Sequence, residues 1–257
     1  MTNPMGLEGR NIIVTGAGQG IGEAVSRLVV GLGGKAILVD VQADKVNALA
    51  EELGAGNTEV HVGSVAEPEF VQSMVNASVE ANGAIHGLVN NAGIVRAAMI
   101  HKMPIHTWQE VIDVNLSGVF YCLQAVGRHM MDRAKDGDTA PGSIVNISSD
   151  AGRRGTIGQI NYGAAKSGVM GISMSAAREW ARYGIRVNSV CFGVVETEMT
   201  ETIRGEKFRD GVLAQVPMGR FSTPEEVSQP VCFLLSGAAS YITGQHLSVN
   251  GGYTIGV

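Results

Sequence analysis

Seven short runs rich in valine, isoleucine and other strand formers recur along the chain, with stretches of helical length between them. They are NIIVT (11–15), KAILVD (35–40), TEVHV (58–62), HGLVN (86–90), SIVNIS (143–148), IRVNSV (185–190) and HLSVN (246–250). Most are apolar on both faces, as strands must be when helices cover both sides of the sheet. Helical segments are expected near 20–32, 43–53, 68–82, 107–131, 161–183 and 224–236. Strand and helix in alternation predict an α/β fold with a doubly wound, seven-stranded parallel sheet. Two helix starts carry a capping-box signature, TWQE (107–110) and TPEE (223–226). The second adds Pro224 at the first helical position. No repeat or linker divides the chain, so residues 1–257 are expected to form a single domain. RAKDGDTAPG (133–142) is expected to be a surface loop, and residues 193–223 a small helical flap beside the sheet.

Composition excludes several classes of function. A net charge of -5 speaks against a general nucleic-acid binder, which would carry a basic face. No run of about 18 apolar residues is present, so no membrane span is expected. The opening MTNPMGLEGR has neither a basic start nor an apolar stretch, unlike a secretory signal. Three widely spaced cysteines, Cys122, Cys191 and Cys232, suggest reduced thiols and a cytoplasmic setting. No cysteine or histidine spacing suggests a metal.

TGAGQGIG (15–22) follows the first run and opens the first helix. Gly16 permits the sharp turn, Gly20 lets the backbone approach a pyrophosphate, and Gly22 lets helix and strand pack closely. The helix N-terminus then offers free N–H groups and a partial positive charge to phosphates. Asp40 ends the second run about 20 residues later, where a carboxylate accepts hydrogen bonds from adenosine ribose hydroxyls in a Rossmann-type fold. Asp40 would repel a 2′-phosphate, and no Arg or Lys occupies 17–19 or 41–43. The expected cofactor is therefore NAD(H) in preference to NADP(H).

In NYGAAKSG (161–168), Tyr162 and Lys166 lie one helical turn apart on one face. A phenol titrates near ~10, too high for efficient proton exchange at neutral pH. A nearby ammonium is expected to lower it. NISSDAG (146–152) brings Ser149 to the end of a strand, where open parallel sheets bind ligands. A hydroxyl there can donate to a substrate carbonyl oxygen.

On these motifs the chain resembles the short-chain dehydrogenase/reductase family along nearly its whole length. TGAGQGIG is similar to the family's cofactor loop, NNAG (90–93) to its fourth-strand motif, and Asn115 in DVNLSG to its helix asparagine. Ser149, YGAAK and GVVETEM (193–199) match in order and spacing. The resemblance implies that Tyr162 is the acid or base. It implies that Lys166 lowers the Tyr162 pKa and holds the nicotinamide ribose, and that Ser149 orients the substrate oxygen. Asn115 would hold a water that relays protons past Lys166. The cofactor would lie on Gly16, Gly18, Gln19, Gly20, Ile21 and Gly22, with Asn91, Ala92 and Gly93 along it. Ser64 and Val65 would sit beside the adenine, and Val195 and Thr197 at the carboxamide.

Within the family the C-terminal half resembles 3-oxoacyl-acyl-carrier-protein reductases, through LAQVPMGRF (213–221) and YITGQHLSVNGG (241–252). The implied reaction is hydride transfer to a 3-keto acyl thioester. That group carries a basic residue where Gln19 stands, and an arginine for its acidic carrier protein where Ser143 stands, here behind Asp136 and Asp138. Arg178 matches a second carrier-binding arginine. Three readings stay open: a 3-oxoacyl-thioester enzyme acting on carrier protein or coenzyme A, a dehydrogenase of another alcohol or ketone, and a silent dinucleotide-binding sensor. Arg153 and Arg154 are candidates to meet an anionic group. The resemblance also implies a homotetramer, built on the helices near 107–131 and 161–183 and the last strand, with Met99, Met103, Met130, Met131 and Trp180 as candidate contacts.

Overall fold

The computed structural model describes residues 3–256. In chain order the regular elements are β1 (Asn11–Thr15), α1 (Gly20–Gly31), β2 (Lys35–Asp40), α2 (Ala43–Leu53), β3 (Thr58–Val62), α3 (Pro68–Asn82) and β4 (Gly87–Asn90). Then come α4 (Ile105–Ile112), a π-helical turn (Asp113–Ser117), α5 (Gly118–Lys135), β5 (Gly142–Ser149), α6 (Asp150–Arg154), α7 (Ile160–Trp180) and β6 (Ile185–Phe192). The chain closes with α8 (Glu201–Arg204), α9 (Glu206–Leu213), α10 (Pro224–Leu235) and β7 (His246–Val249). All seven strands join one parallel sheet in the order β3-β2-β1-β4-β5-β6-β7.

Strand alternation divides the core into two layers. Ile12 and Val14 of β1, Leu38 of β2 and Val145 of β5 face α1, α2 and α10, against Val25, Val29, Val46, Val227 and Val231. Their neighbours Ile13, Ile37, Val39 and Ile144 face α3, α5 and α7, against Met74, Leu123, Val126, Met130 and Trp180. Each fully buried aliphatic side chain contributes about 1.5–3 kcal/mol. This two-sided burial is why the runs read as apolar throughout. From β1 the sheet grows one way to β2 and β3 and the other way to β4, which opens a crevice at the strands' C-terminal ends.

The long helix expected at 107–131 is broken. Its first part begins at Ile105 behind Pro104, so Thr107 lies inside the helix and caps nothing. The π turn at Asp113–Ser117 then separates α4 from α5. At the other expected box Thr223 Oγ1 accepts from the Glu226 N–H, and Glu226 Oε2 accepts from the Thr223 N–H at 3.0 Å. The loop expected at 133–142 shrinks to 136–141, because α5 runs to Lys135 and β5 starts at Gly142. Arg133 fastens it, donating to Ile85 O (2.8 Å) and Pro141 O (2.9 Å) and pairing with Asp138.

Residues 193–223 carry α8 and α9 and a single isolated bridge between Val195 and Ser222. Met130 and Trp180 are buried in the chain's own core, so they are not available as subunit contacts; Met99 is exposed. Ser143 is also buried, donating to Leu234 O at 2.9 Å, so nothing at that position faces a carrier protein. Among the described residues no helix is long and apolar enough to cross a membrane. Replacing Thr223 with Ala removes a cap and is expected to cost about 1 kcal/mol, read as a lower urea midpoint at unchanged slope.

Candidate active site

The crevice at the C-terminal ends of β1, β2, β4, β5 and β6 is a cleft of about 680 Å³. The turn between β1 and α1 forms its floor. Gly16 and Gly20 both hold positive φ (66° and 58°), which a side chain would resist. Gly22 lies behind the turn, where a β-carbon would come within 2.0 Å of Gly16 O, so only glycine lets α1 sit this close. Gln19 and Ile21 line the cleft beside them. Asn91 clips the end of β4 to the turn, donating to Thr15 O (3.0 Å) and Gly16 O (3.1 Å). Thr15 Oγ1 accepts from the N–H groups of Asn91 and Ala92, both at 3.0 Å. No motif signals that role for Thr15.

Asp40 reaches the cleft from the end of β2, only 7% exposed. Its Oδ2 accepts from Gly18 N–H (2.8 Å) and its Oδ1 from Gln42 N–H (2.9 Å). Gly18 therefore holds Asp40 instead of lining the cleft. Ser64, Val65, Ala92 and Gly93 extend the wall. A cation stands nearby that residues 17–19 and 41–43 do not reveal. Lys45, on the first turn of α2, hydrogen-bonds Gln19 and lies 3.5 Å from Glu198 of the flap.

The other end of the cleft holds the reactive groups. Lys166 is only 3% exposed. Its Nζ donates to Ile147 O at 2.8 Å, while its own carbonyl accepts from Ser148 Oγ at 2.7 Å. Two bonds running in opposite directions thus staple α7 to the end of β5. Deeper down, Asn90 donates to Asn146 Oδ1 (2.8 Å) and Asn146 donates to Ser173 Oγ (2.9 Å), so a polar chain through the core ties β4 and β5 to α7. Asn161 anchors the start of α7 by donating to Arg96 O (3.0 Å) and accepting from Tyr162 N–H (2.8 Å). Tyr162 is half-buried and lines the cleft together with Ser149, Val195 and Thr197.

The expected depression of the Tyr162 pKa by Lys166 is not found. Burial pushes the phenol upward, and its contact with the Ser149 hydroxyl acts against that rise. Lys166 Nζ is 5.7 Å from the ring centroid and spends its bond on Ile147. Burial pushes the Lys166 ammonium down to about 8. Asn115 stands apart from the cleft. It is buried in the π turn, its Oδ1 accepting from Ile94 N–H (2.8 Å) and its Nδ2 donating to Ile94 O (2.9 Å). Its amide thus positions the loop after β4. Arg153 and Arg154 bind the chain's own C-terminal segment through Ser248 and the carbonyls of Gly256 and Tyr253.

The family model described as enoyl-(acyl carrier protein) reductase matches residues 16–254. A 3-oxoacyl-[acyl-carrier-protein] reductase of Thermotoga maritima is 40% identical over 253 residues, which cover 98% of this chain and 100% of that protein. The chain belongs to the short-chain dehydrogenase/reductase family. An acetoacetyl-CoA reductase of Synechocystis is 41% identical, over 97% of this chain and 98% of that protein. Among solved structures, a gluconate 5-dehydrogenase of Burkholderia cenocepacia in complex with NADP and tartrate superposes with a TM-score of 0.92 at 33% identity, over 99% of this chain and 98% of that one.

As a short-chain dehydrogenase/reductase the protein is an oxidoreductase acting on CH–OH groups, similar to 3-oxoacyl reductases, and its fold binds a nicotinamide dinucleotide. The cleft fits such a group. A β-carbon at Gly16 would meet Ala92 Cα at 2.9 Å, and one at Gly20 would meet Thr197 at 3.2 Å, so the floor is open to phosphate only while both stay glycine. Gly22→Ala is expected to drive α1 off the turn, lowering stability by about 1–3 kcal/mol. Calorimetric melting and NADH fluorescence titration should both register the loss.

Proposed function

We propose that the protein moves a hydride reversibly between NAD(H) and a 3-oxoacyl or 3-hydroxyacyl thioester. The observation that carries this reading is the sharing of one cleft. The Tyr162 phenol, the Ser149 hydroxyl and Lys166 occupy one end, and the glycine turn and Asp40 the other. When bound, the dinucleotide supplies or accepts the hydride. The Tyr162 hydroxyl gives its proton to the carbonyl oxygen, and takes it back in the oxidation. Ser149 donates to that oxygen and holds it beside the phenol. Lys166, its ammonium held by Ile147 O at 5.7 Å from the Tyr162 ring centre, would anchor the nicotinamide ribose. Val195 and Thr197 would hold the nicotinamide carboxamide, Asn91, Ala92 and Gly93 would line the dinucleotide, and Ser64 and Val65 would sit beside the adenine. Asn115 acts by setting the Ile94 backbone, and its position in the π turn leaves a proton relay to its main chain.

The names of the thioester reductases at 40% and 41% identity support the thioester. Arg178, exposed on α7, is the residue offered to an acyl carrier protein. With Ser143 buried, coenzyme A thioesters are favoured over that partner. The second reading, a dehydrogenase of another secondary alcohol, draws support from the sugar-acid dehydrogenase that superposes on the chain. A panel of acetoacetyl-CoA, carrier-bound acetoacetate and small ketoses separates the two. The proposal fails if only the ketoses turn over.

Asp40 supports NAD(H) as the preferred cofactor, since its carboxylate lines the cleft beyond the glycine turn, where it would meet the adenosine ribose and repel a 2′-phosphate. Lys45 softens that preference by bringing an ammonium beside Gln19. The kcat/KM for NADH should exceed that for NADPH by about 10-fold, an energy gap of about 1.4 kcal/mol. Equal or better use of NADPH would overturn the preference. The pH dependence follows from the two shifts. Reduction needs the protonated phenol, whose pKa is raised, and the Lys166 ammonium, whose pKa is lowered to about 8. Its rate should be flat through neutrality and fall above about pH 8, while oxidation rises with pH. We also read the enzyme as a cytoplasmic homotetramer, and a monomeric mass by light scattering would contradict the tetramer.

A further inference from the structure

Asp150 directly follows Ser149, yet its carboxylate is only 2% exposed and touches neither the cleft nor solvent. Its Oδ2 accepts from Asn250 Nδ2 at 2.8 Å. Its Oδ1 and the Thr254 hydroxyl are both buried without a partner at full hydrogen-bond geometry among the described residues. Burial raises the carboxyl's pKa, and that hydroxyl lies near enough to act against the rise. A buried carboxylate with one oxygen this weakly satisfied is costly, and an apolar side chain or an amide would fill the place more cheaply. What it holds explains its presence. Asn250 closes its own turn, accepting from Gly252 N–H (3.0 Å) and donating to Thr254 O (3.2 Å). On its far side it packs against Gly193, where a β-carbon would meet Asn250 Cβ at 2.9 Å and Cα at 3.1 Å. Gly193 lines the cleft beside Phe192, the β6 register partner of Ser149, and its N–H donates to Val249 O at 3.3 Å. The next residue, Gly251, accepts from Met218 N–H at 3.1 Å at the end of the flap. Arg153 and Arg154 hold the same segment from the other end of α6, with the Arg154 guanidinium 3.9 Å from the Tyr253 ring centre.

We propose that Asp150 and Asn250 are positioning residues, a strut tying the end of β5 at Ser149 and the end of β6 at Gly193 to the C-terminal segment, so that this segment governs the rate of the chemical step. The strut rests on the reading of Ser149 as the group that orients the substrate oxygen. It touches no residue of the glycine turn, so it leaves cofactor binding alone. Asn at position 150 can still accept from Asn250, whereas Ala cannot.

The test uses the full-length enzyme, NADH and the carbonyl compound that the wild type reduces fastest in the panel above. Asp150→Ala and Asn250→Ala should each lower kcat by about 10-fold or more, as small misplacements of a catalytic group do. The NADH dissociation constant, read by fluorescence, should move by less than about 2-fold, and Asp150→Asn should keep most of the rate. The double Ala variant should be no slower than the slower single one, because both remove the same contact. Thermal melting identifies any variant that fails to fold, in which case Asp150→Asn and Asn250→Ser carry the comparison. Unchanged kcat in both Ala variants, a parallel loss of NADH binding, or losses that multiply in the double variant would overturn the strut. Ser149→Ala keeps the two readings apart. If it stays fully active, the role of Ser149 itself fails; if it is inactive while Asp150→Ala is not, only the strut fails.

Discussion

The pair of hydrogen bonds between β5 and α7 is the contact on which the site depends. Ile147 O takes the buried ammonium of Lys166, and Lys166 O takes the hydroxyl of Ser148. A bond to a charged group is worth about 1.5–3 kcal/mol, against the cost of withdrawing the cation from water. The residue of that balance appears as the depressed Lys166 pKa. Because the two donors point in opposite directions, α7 can neither slide along β5 nor rotate on it without losing one of them. Tyr162, one turn earlier, inherits its position from this staple. Gly152 allows α6 to lie directly on the Lys166 backbone, where a β-carbon would meet Lys166 C at 2.6 Å. Ser149, Tyr162 and Lys166 are thus fixed by one knot of chain.

The sheet supplies the frame for that knot. Two apolar layers hold the strands, but apolar contacts are forgiving of register. The polar chain of Asn90, Asn146 and Ser173 is not, since each member must keep its partner inside the core. It links β4, β5 and α7, the three elements that meet at the cleft. At the other end Asn91 and Thr15 join β4 to the glycine turn. The reactive groups and the phosphate floor are therefore tied to each other through β4 and do not merely lie close together.

Much of this was legible in the sequence because it is periodic or local. All seven strands lie within two residues of where strand-forming runs placed them, and the glycine turn, Asp40, Ser149, Tyr162 and Lys166 converge on one cleft. What was not legible arises from tertiary contact. The π turn at 113–117 leaves no mark on helical periodicity, and comes with the two bonds that Asn115 makes to Ile94. Lys45 lies outside the windows around the glycines and Asp40, but the first turn of α2 swings it back to Gln19. The Tyr162 shift was misjudged because spacing gives proximity to Lys166 and says nothing of burial or of the Ile147 carbonyl that competes for the ammonium. Met130 and Trp180 illustrate the same limit, since an apolar residue on a helix reads alike whether its face meets the sheet or another subunit.

The claim at the centre of this account is that the Lys166 ammonium, bonded to Ile147 O, holds Tyr162 in its working position. Lys166→Ala tests it most directly, with turnover measured in the absence and presence of a small primary amine. The account expects turnover to fall by about 100-fold or more with the fold intact, and to recover partly as methylammonium takes the place of the missing Nζ beside Ile147 O. Wild-type turnover in the Ala variant without added amine would contradict it.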